Sequence, residues 1–173
     1  MDAVIIDTNV MVVANGASAA PQATQECVIR CQARLAAILR GSEKVLLDDK
    51  KRIIQEYKNN LNQKGRGHGD RFWQELVRRM WREGEQEKVI MVHITPLGGN
   101  GTDFEEFPND DPSLKDFHKK DRKFVAVALA YQRDHGQEAP VLQAEDSGWA
   151  EFRAALADHG VQVDSICEED IQP

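Results

Sequence analysis

Cysteine is scarce. The 173 residues hold three, Cys27, Cys31 and Cys167, an odd and sparse count that is no disulfide framework and points to a reducing, cytoplasmic compartment. Cys27 and Cys31 stand four apart on an expected helix and could touch one metal, but with no second Cys/His pair nearby the expectation is core packing. Long apolar runs are missing as well. None approaches the roughly 20 residues of a membrane-spanning helix, and the N-terminus has neither the basic stretch nor the cleavage site of a secretory signal, so no membrane association is expected. Positive charge is in deficit: 22 Lys and Arg against 29 Asp and Glu leave a net charge of −7. That excludes a general nucleic-acid-coating protein, though not a nuclease whose acids gather at a metal site. With no internal repeat and no linker, residues 1–173 read as a single domain.

What is present is a regular alternation of apolar strands and amphipathic helices. The stretch Ala3-Val4-Ile5-Ile6-Asp7-Thr8-Asn9 opens with four apolar residues in a row, the pattern of an interior strand of a parallel sheet, and runs into an acid, a hydroxyl and an amide. Asn15 to Ala23 reads as a loop. Thr24 is a plausible N-cap, Val28, Cys31, Leu35 and Ile38 recur at helical spacing, and Gly41 stops the helix. A strand at Val45-Leu46-Leu47 ends at Asp48-Asp49. The next helix buries Ile53, Ile54, Tyr57 and Leu61, with Glu56 about 60° from Ile53 at the edge of that stripe. Phe72, Trp73, Leu76, Val77, Met80 and Trp81 make a third helix whose tryptophans suit the core or a partner surface, a homodimer face included, better than base stacking. Val89 to Ile94 is a strand, residues 96–112 a long irregular loop. Asp121 opens a helix that is apolar almost all round from Phe124 to Tyr131. Val141-Leu142 begins a strand ending near Asp146, Trp149, Phe152 and Leu156 line a last helix closed by Gly160, and Val161 to Val163 is a fifth strand. The alternation predicts an α/β fold, a three-layer α/β/α sandwich on a central parallel sheet of about five strands.

Asp7, Glu56, Asp121 and Asp146 stand where strands end or helices begin. Parallel strands put Asp7 and Asp146 on one edge of the sheet, where open α/β folds bind ligands. Carboxylates crowded in a cleft raise one another's pKa, and a divalent cation relieves the repulsion; hard oxygen donors suit Mg²⁺ or Mn²⁺. Such a site serves phosphodiester hydrolysis by activating water and neutralising charge on the phosphate. No His adjoins these acids in a ligand pattern, which counts against zinc.

The segments Val4-Ile5-Ile6-Asp7-Thr8-Asn9, Asp121-Arg122-Lys123-Phe124-Val125-Ala126-Val127-Ala128-Leu129-Ala130 and Asp146-Ser147-Gly148-Trp149 resemble, in order and spacing, the motifs of the PIN-domain family of metal-dependent ribonucleases. The resemblance implies a compact sandwich of the kind expected above. It also implies that Asp7, Glu56, Asp121 and Asp146 bind one or two Mg²⁺ or Mn²⁺ ions, with Asn9 or Thr8 supporting a metal-held water or orienting Asp7. Asp49 competes with Glu56, and Asp110 and Asp111 are further candidates for the metal shell. Many members carry a second Asp where this chain has Gly148, which leaves the second metal position in question. Basic clusters around Glu56 and Asp121, among them Lys51, Arg52, Lys120, Arg122 and Lys123, would hold the backbone of single-stranded RNA without reading its sequence.

The resulting expectation is an Mg²⁺/Mn²⁺-dependent endoribonuclease, as a toxin neutralised by a protein partner, a defence effector or an RNA-processing enzyme. The competing expectation is a catalytically silent PIN-like module that binds RNA or protein. A haloacid-dehalogenase-type phosphatase also begins with an apolar strand ending in Asp, but its chemistry wants a second Asp at the position of Asn9.

Overall fold

A computed structural model describes residues 2–82 and 87–172; the two ends of the expected domain, Met1 and Pro173, lie outside the described residues. The apolar run folds as anticipated into β1 (Ala3–Ile6), every residue of it buried. It is the middle strand of a five-stranded sheet with β2 (Lys44–Asp48), β3 (Val89–Val92), β4 (Val141–Gln143) and β5 (Val163–Ser165), in the order β3-β2-β1-β4-β5. Every neighbouring pair is parallel, with Val4 opposite Val45, Ile5 opposite Val141 and Leu142 opposite Asp164. A strand with partners on both edges and helices on both faces has no wet side, which is why β1 needs no polar alternation.

Among the described residues, seven α-helices flank the sheet: α1 (Thr8–Ala14), α2 (Gln25–Arg40), α3 (Arg52–Asn60), α4 (His68–Met80), α5 (Arg122–His135), α6 (Ser147–Glu151) and α7 (Arg153–Ala157). They complete the expected three-layer α/β/α sandwich. α1, α2 and α4 pack on one another, α5 lies across β1 to β4, and α6 and α7 cover β5. α2 starts at Thr24, whose hydroxyl accepts from Cys27 N at 3.1 Å. Its far end is capped by Lys88, nearly enclosed, whose ammonium donates to the carbonyls of Ile38, Gly41 and Glu43 at 2.6–2.8 Å, a cation where the helix dipole favours one. α5 closes on Gly136, whose φ of +67° only glycine adopts without cost.

Several elements differ from the expectation. The chain turns into α1 directly after Asp7, where a continuous apolar run of short length does not distinguish strand from helix. β5 forms two residues later than expected, at Val163–Ser165, because Val161 and Val163 are both buried and the pattern fits either register. The last helix breaks at Phe152 into two five-residue pieces. Trp73 is buried edge-on to Tyr57, whereas Trp81 terminates α4 and is 72% exposed. The loop expected over 96–112 is irregular and largely exposed, but Phe104 and Phe107 pin it to the core; just beyond it Leu114 and Phe117 are buried, and Phe117 packs edge-on to Trp149 and Phe152.

The cysteine reading also needs correction. Cys27 on α2 and Cys167 after β5 form a disulfide across 140 residues, a pairing that counting and spacing do not reveal. The count therefore carries no argument about compartment. Among the described residues, no helix is long and apolar enough to cross a membrane.

Candidate metal and phosphate site

In a parallel sheet the crevice for ligands opens where neighbouring strands send their connections to opposite sides. Here that point lies between β1, which is flanked by β2 and β4, and β4 itself. Asp7 follows β1 directly, and Asp146 follows β4 at the cap of α6. Asp121 caps α5, and Glu56 comes from the second turn of α3. All four line one cleft of about 1110 Å³, together with Thr8 and Asn9. The sequence-predicted acids are thus brought to a single place.

Each is positioned by a local reason. Asp48, fully buried at the end of β2, accepts from Ile53 N at 2.8 Å, Arg52 N at 3.0 Å and the Arg52 guanidinium at 3.2 Å. It thereby caps α3 in place of Lys51, which sits left-handed at φ 64°. That start sets the phase that turns Glu56 toward the cleft, where Thr8 donates its hydroxyl to one carboxylate oxygen and Lys123 Nζ lies 2.7 Å from the other. The Tyr57 hydroxyl donates to the Ile6 carbonyl and braces the end of β1 from behind. Asp146 accepts from Gly148 N at 2.7 Å, and its own N–H donates to Gln143 Oε1 at 2.6 Å.

The electrostatics record the crowding. Asp7 is 5% exposed, and its carboxyl is held well above the usual range, first by burial and then by the charges of Asp121, Glu56 and Asp146, with the backbone N–H of Asn9 opposing. Asp121 is pushed up to about 6, first by burial and then by Glu56, with His118 and Lys123 opposing. The Tyr57 phenol is also raised, by burial and then by Asp7.

The supporting residues sort less neatly. Lys51, Arg52, Lys120 and Lys123 line the cleft, joined by Lys50 and Lys119. Arg122 does not belong with them. Its side chain is buried, and its guanidinium donates to Asp103 at 3.1 Å and to the carbonyls of Lys115 and Phe117 at 3.0–3.3 Å while stacking on Phe107. It anchors the long loop. Asn9 lines the cleft, and its Oδ1 accepts from Ala144 N at 3.0 Å, which ties the exit of β4 to the exit of β1. Thr8 serves Glu56 rather than Asp7. Asp49 pairs with His93 at 2.9 Å and does not line the cleft. Asp110 and Asp111 line a separate depression, where Asp111 meets His159 at 2.7 Å. Sequence reasoning passed over His118, three residues before Asp121 and 3.8 Å from its carboxylate. It also passed over Asp48, for which the signal was an acid placed just ahead of a helix start.

Comparison of the chain with protein-family models, with curated proteins and with solved structures found no match.

The donor set fits a hard divalent cation. It offers carboxylate oxygens, one of them buried among like charges. The fit is open rather than tight. Among the described residues, no three of the four acids bring carboxylate oxygens within 4.8 Å of one another. Neighbouring donors around a fully protein-ligated Mg²⁺ would stand about 3 Å apart, so an ion here would keep several waters, as Mg²⁺ prefers.

Proposed function

We propose that the protein is a metal-dependent endoribonuclease of PIN-like type, hydrolysing phosphodiester bonds in single-stranded or structured RNA. The observation that carries this reading is Asp7: a carboxylate buried at the switch point of a parallel sheet beside three other acids. Asp7 and Asp121 would hold the Mg²⁺ or Mn²⁺ ion, and Glu56 and Asp146 would complete its surroundings. When bound, such an ion activates water and neutralises charge growing on the phosphate. The chain's own residues do the rest. Lys51, Arg52 and Lys120 line the same cleft and can take the flanking phosphates of a single strand, contacts that position a backbone without reading its bases. Lys123 balances Glu56 until a cation arrives. An RNA substrate would place the protein in the cytoplasm, where it could act as a toxin or defence effector restrained by a protein partner, and the exposed Trp81 offers a face for that partner or for a second copy.

Cleavage of a labelled RNA pool by purified protein with Mn²⁺, Mg²⁺ or EDTA, beside Asp7→Asn, tests the reading. Metal-dependent cleavage that the substitution removes supports it. Cleavage that survives in EDTA or in Asp7→Asn overturns it.

Two features favour a second reading, a catalytically silent module that binds RNA or protein. Lys123 already offsets the charge of Glu56, and among the described residues no three of the four acids converge within 4.8 Å, so the cleft can stand without a metal. Calorimetric titration separates the two: Mn²⁺ binding that depends on Asp7 belongs to the nuclease, and RNA binding with no metal binding belongs to the module.

A further inference from the structure

On the far side of the Asp146 turn lies a second group of ligand atoms that the proposed reaction does not use. Cys27, Cys31 and Cys167 are all buried, and their sulfurs lie within 4.8 Å of one another. Two belong to the disulfide and Cys31 is a free thiol. Around the same Cys27 sulfur, carboxylate oxygens of Glu145 and Asp170 also fall within 4.8 Å of it and of each other. Asp170 is engaged, accepting from the Thr24 hydroxyl at 2.8 Å. Glu145 is not: its Oε1 is enclosed and, among the described residues, has no hydrogen-bond partner. A buried carboxylate oxygen without a donor costs free energy unless something absent from the protein chain satisfies it.

The chemistry of the group is distinct from that of the cleft. The three sulfurs make a soft set, the kind that selects Zn²⁺ over Mg²⁺ or Mn²⁺, and Glu145, grouped with Cys27 but not with Cys31 and Cys167, is the fourth donor that would have to move in. With Zn–S bonds of about 2.3 Å, sulfurs around a tetrahedral ion stand about 3.8 Å apart, so the Cys27 and Cys167 sulfurs, bonded to each other in the disulfide, must separate on reduction to admit the ion. We propose that the reduced protein binds one Zn²⁺ through Cys27, Cys31, Cys167 and Glu145, and that formation of the Cys27–Cys167 disulfide closes this site. The steps balance. An external thiol pair reduces the disulfide, supplying two electrons and two protons and itself becoming a disulfide. Zn²⁺ then displaces the protons of the three thiols. Oxidation by a peroxide runs the other way: the two cysteines lose two electrons, the peroxide is reduced to water, and the ion is expelled.

The elements the centre would join are α2, the turn after β4 and the segment after β5. Backbone bonds already bring them side by side, Cys167 N donating to Ala144 O at 3.0 Å and Ile166 N to Gln143 O at 2.9 Å. Zinc would therefore brace the turn that carries Asp146 from behind, independently of the acids in the cleft.

The test uses the full chain reduced under anaerobic conditions, titrated with Co²⁺ as a spectroscopic stand-in and with Zn²⁺ in competition. The expected result is one equivalent bound per chain, with a thiolate-to-cobalt charge-transfer band that Zn²⁺ bleaches. Cys31→Ser, which leaves the disulfide pair untouched, should weaken Zn²⁺ by at least about 10²-fold and lower the band, and Glu145→Gln should weaken it by about 10- to 100-fold. Peroxide should release the ion to a chromogenic chelator as the Cys27–Cys167 bond forms in a peptide map. No charge-transfer band in the reduced wild-type protein, or a band and affinity unchanged in Cys31→Ser, would overturn the proposal. Neither outcome depends on whether the cleft cleaves RNA.

Discussion

Asp7 and Asp121 are held where their charged forms are disfavoured, and that has two measurable consequences. The first concerns substitution. Asp121→Asn should lower cleavage on the order of 10²–10³-fold, the usual loss when one preorganised electrostatic group is removed, while circular dichroism stays native. Asp7→Asn should abolish cleavage yet raise the thermal midpoint of the metal-free protein, because a buried carboxylate among like charges is replaced by a neutral isostere. A lower midpoint for Asp7→Asn would show that the charge is compensated in the fold. The second concerns pH. Asp121 titrates near 6 in the fold and near 3.9 when unfolded, so between those values the folded state binds more protons. Metal-free stability should then fall as pH rises from about 4 through 6, by up to about 3 kcal/mol from this group. Mn²⁺ should flatten that slope; denaturant melts in EDTA and in Mn²⁺ across that range would read it. At this scale three of the acids were legible in the sequence because Asp7, Asp121 and Asp146 stand at element ends, and Glu56 because it borders the buried stripe of α3. Arg122 was not, because a basic cluster does not say which of its members turn inward, and neither was the sulfur pairing, which joins positions 140 residues apart.

At the scale of elements, the site depends on helices whose placement is fixed by groups outside the cleft. Asp48 never meets the cleft but decides where α3 begins. Asp48→Asn should cost about 1–2 kcal/mol, as the loss of a helix cap does, and should reduce activity more than its stability loss explains, since Glu56 rides on α3; comparing denaturation with cleavage rates at saturating Mn²⁺ separates the two effects. The packing of α4 on α1 is equally local. A Cβ at Gly69 would lie 1.8 Å from the Met11 carbonyl oxygen, so Gly69→Ala should destabilise by about 1–3 kcal/mol through overpacking, seen as a lower denaturation midpoint. The long helices were readable from periodicity. α1 was not, because seven residues continuing an apolar strand carry too little pattern to announce a change of period, and the break at Phe152 left no Gly or Pro to mark it.

For the whole molecule, the alternation of strands and helices made the layered architecture legible, since parallel strands need crossovers and crossovers need helices. The order of strands was not legible. Nothing in the sequence of β1 says that β4, rather than β3, lies on its free edge, yet that placement makes the crevice and sets Asp146 near Asp7.

The same placement acts on the timing of synthesis. A chain emerging from a ribosome releases β1 well before β4, and the strand is paired on both edges only once Ile5 can meet Val141. Until then the most apolar strand of the sheet has an open edge, and the cleft lacks Asp146, its last acid. Non-local parallel pairing of this kind folds slowly and leaves intermediates exposed. A product interrupted before β4 would therefore carry three of the four acids and no closed site, so whatever the cleft binds can be held only after Asp146 has been made.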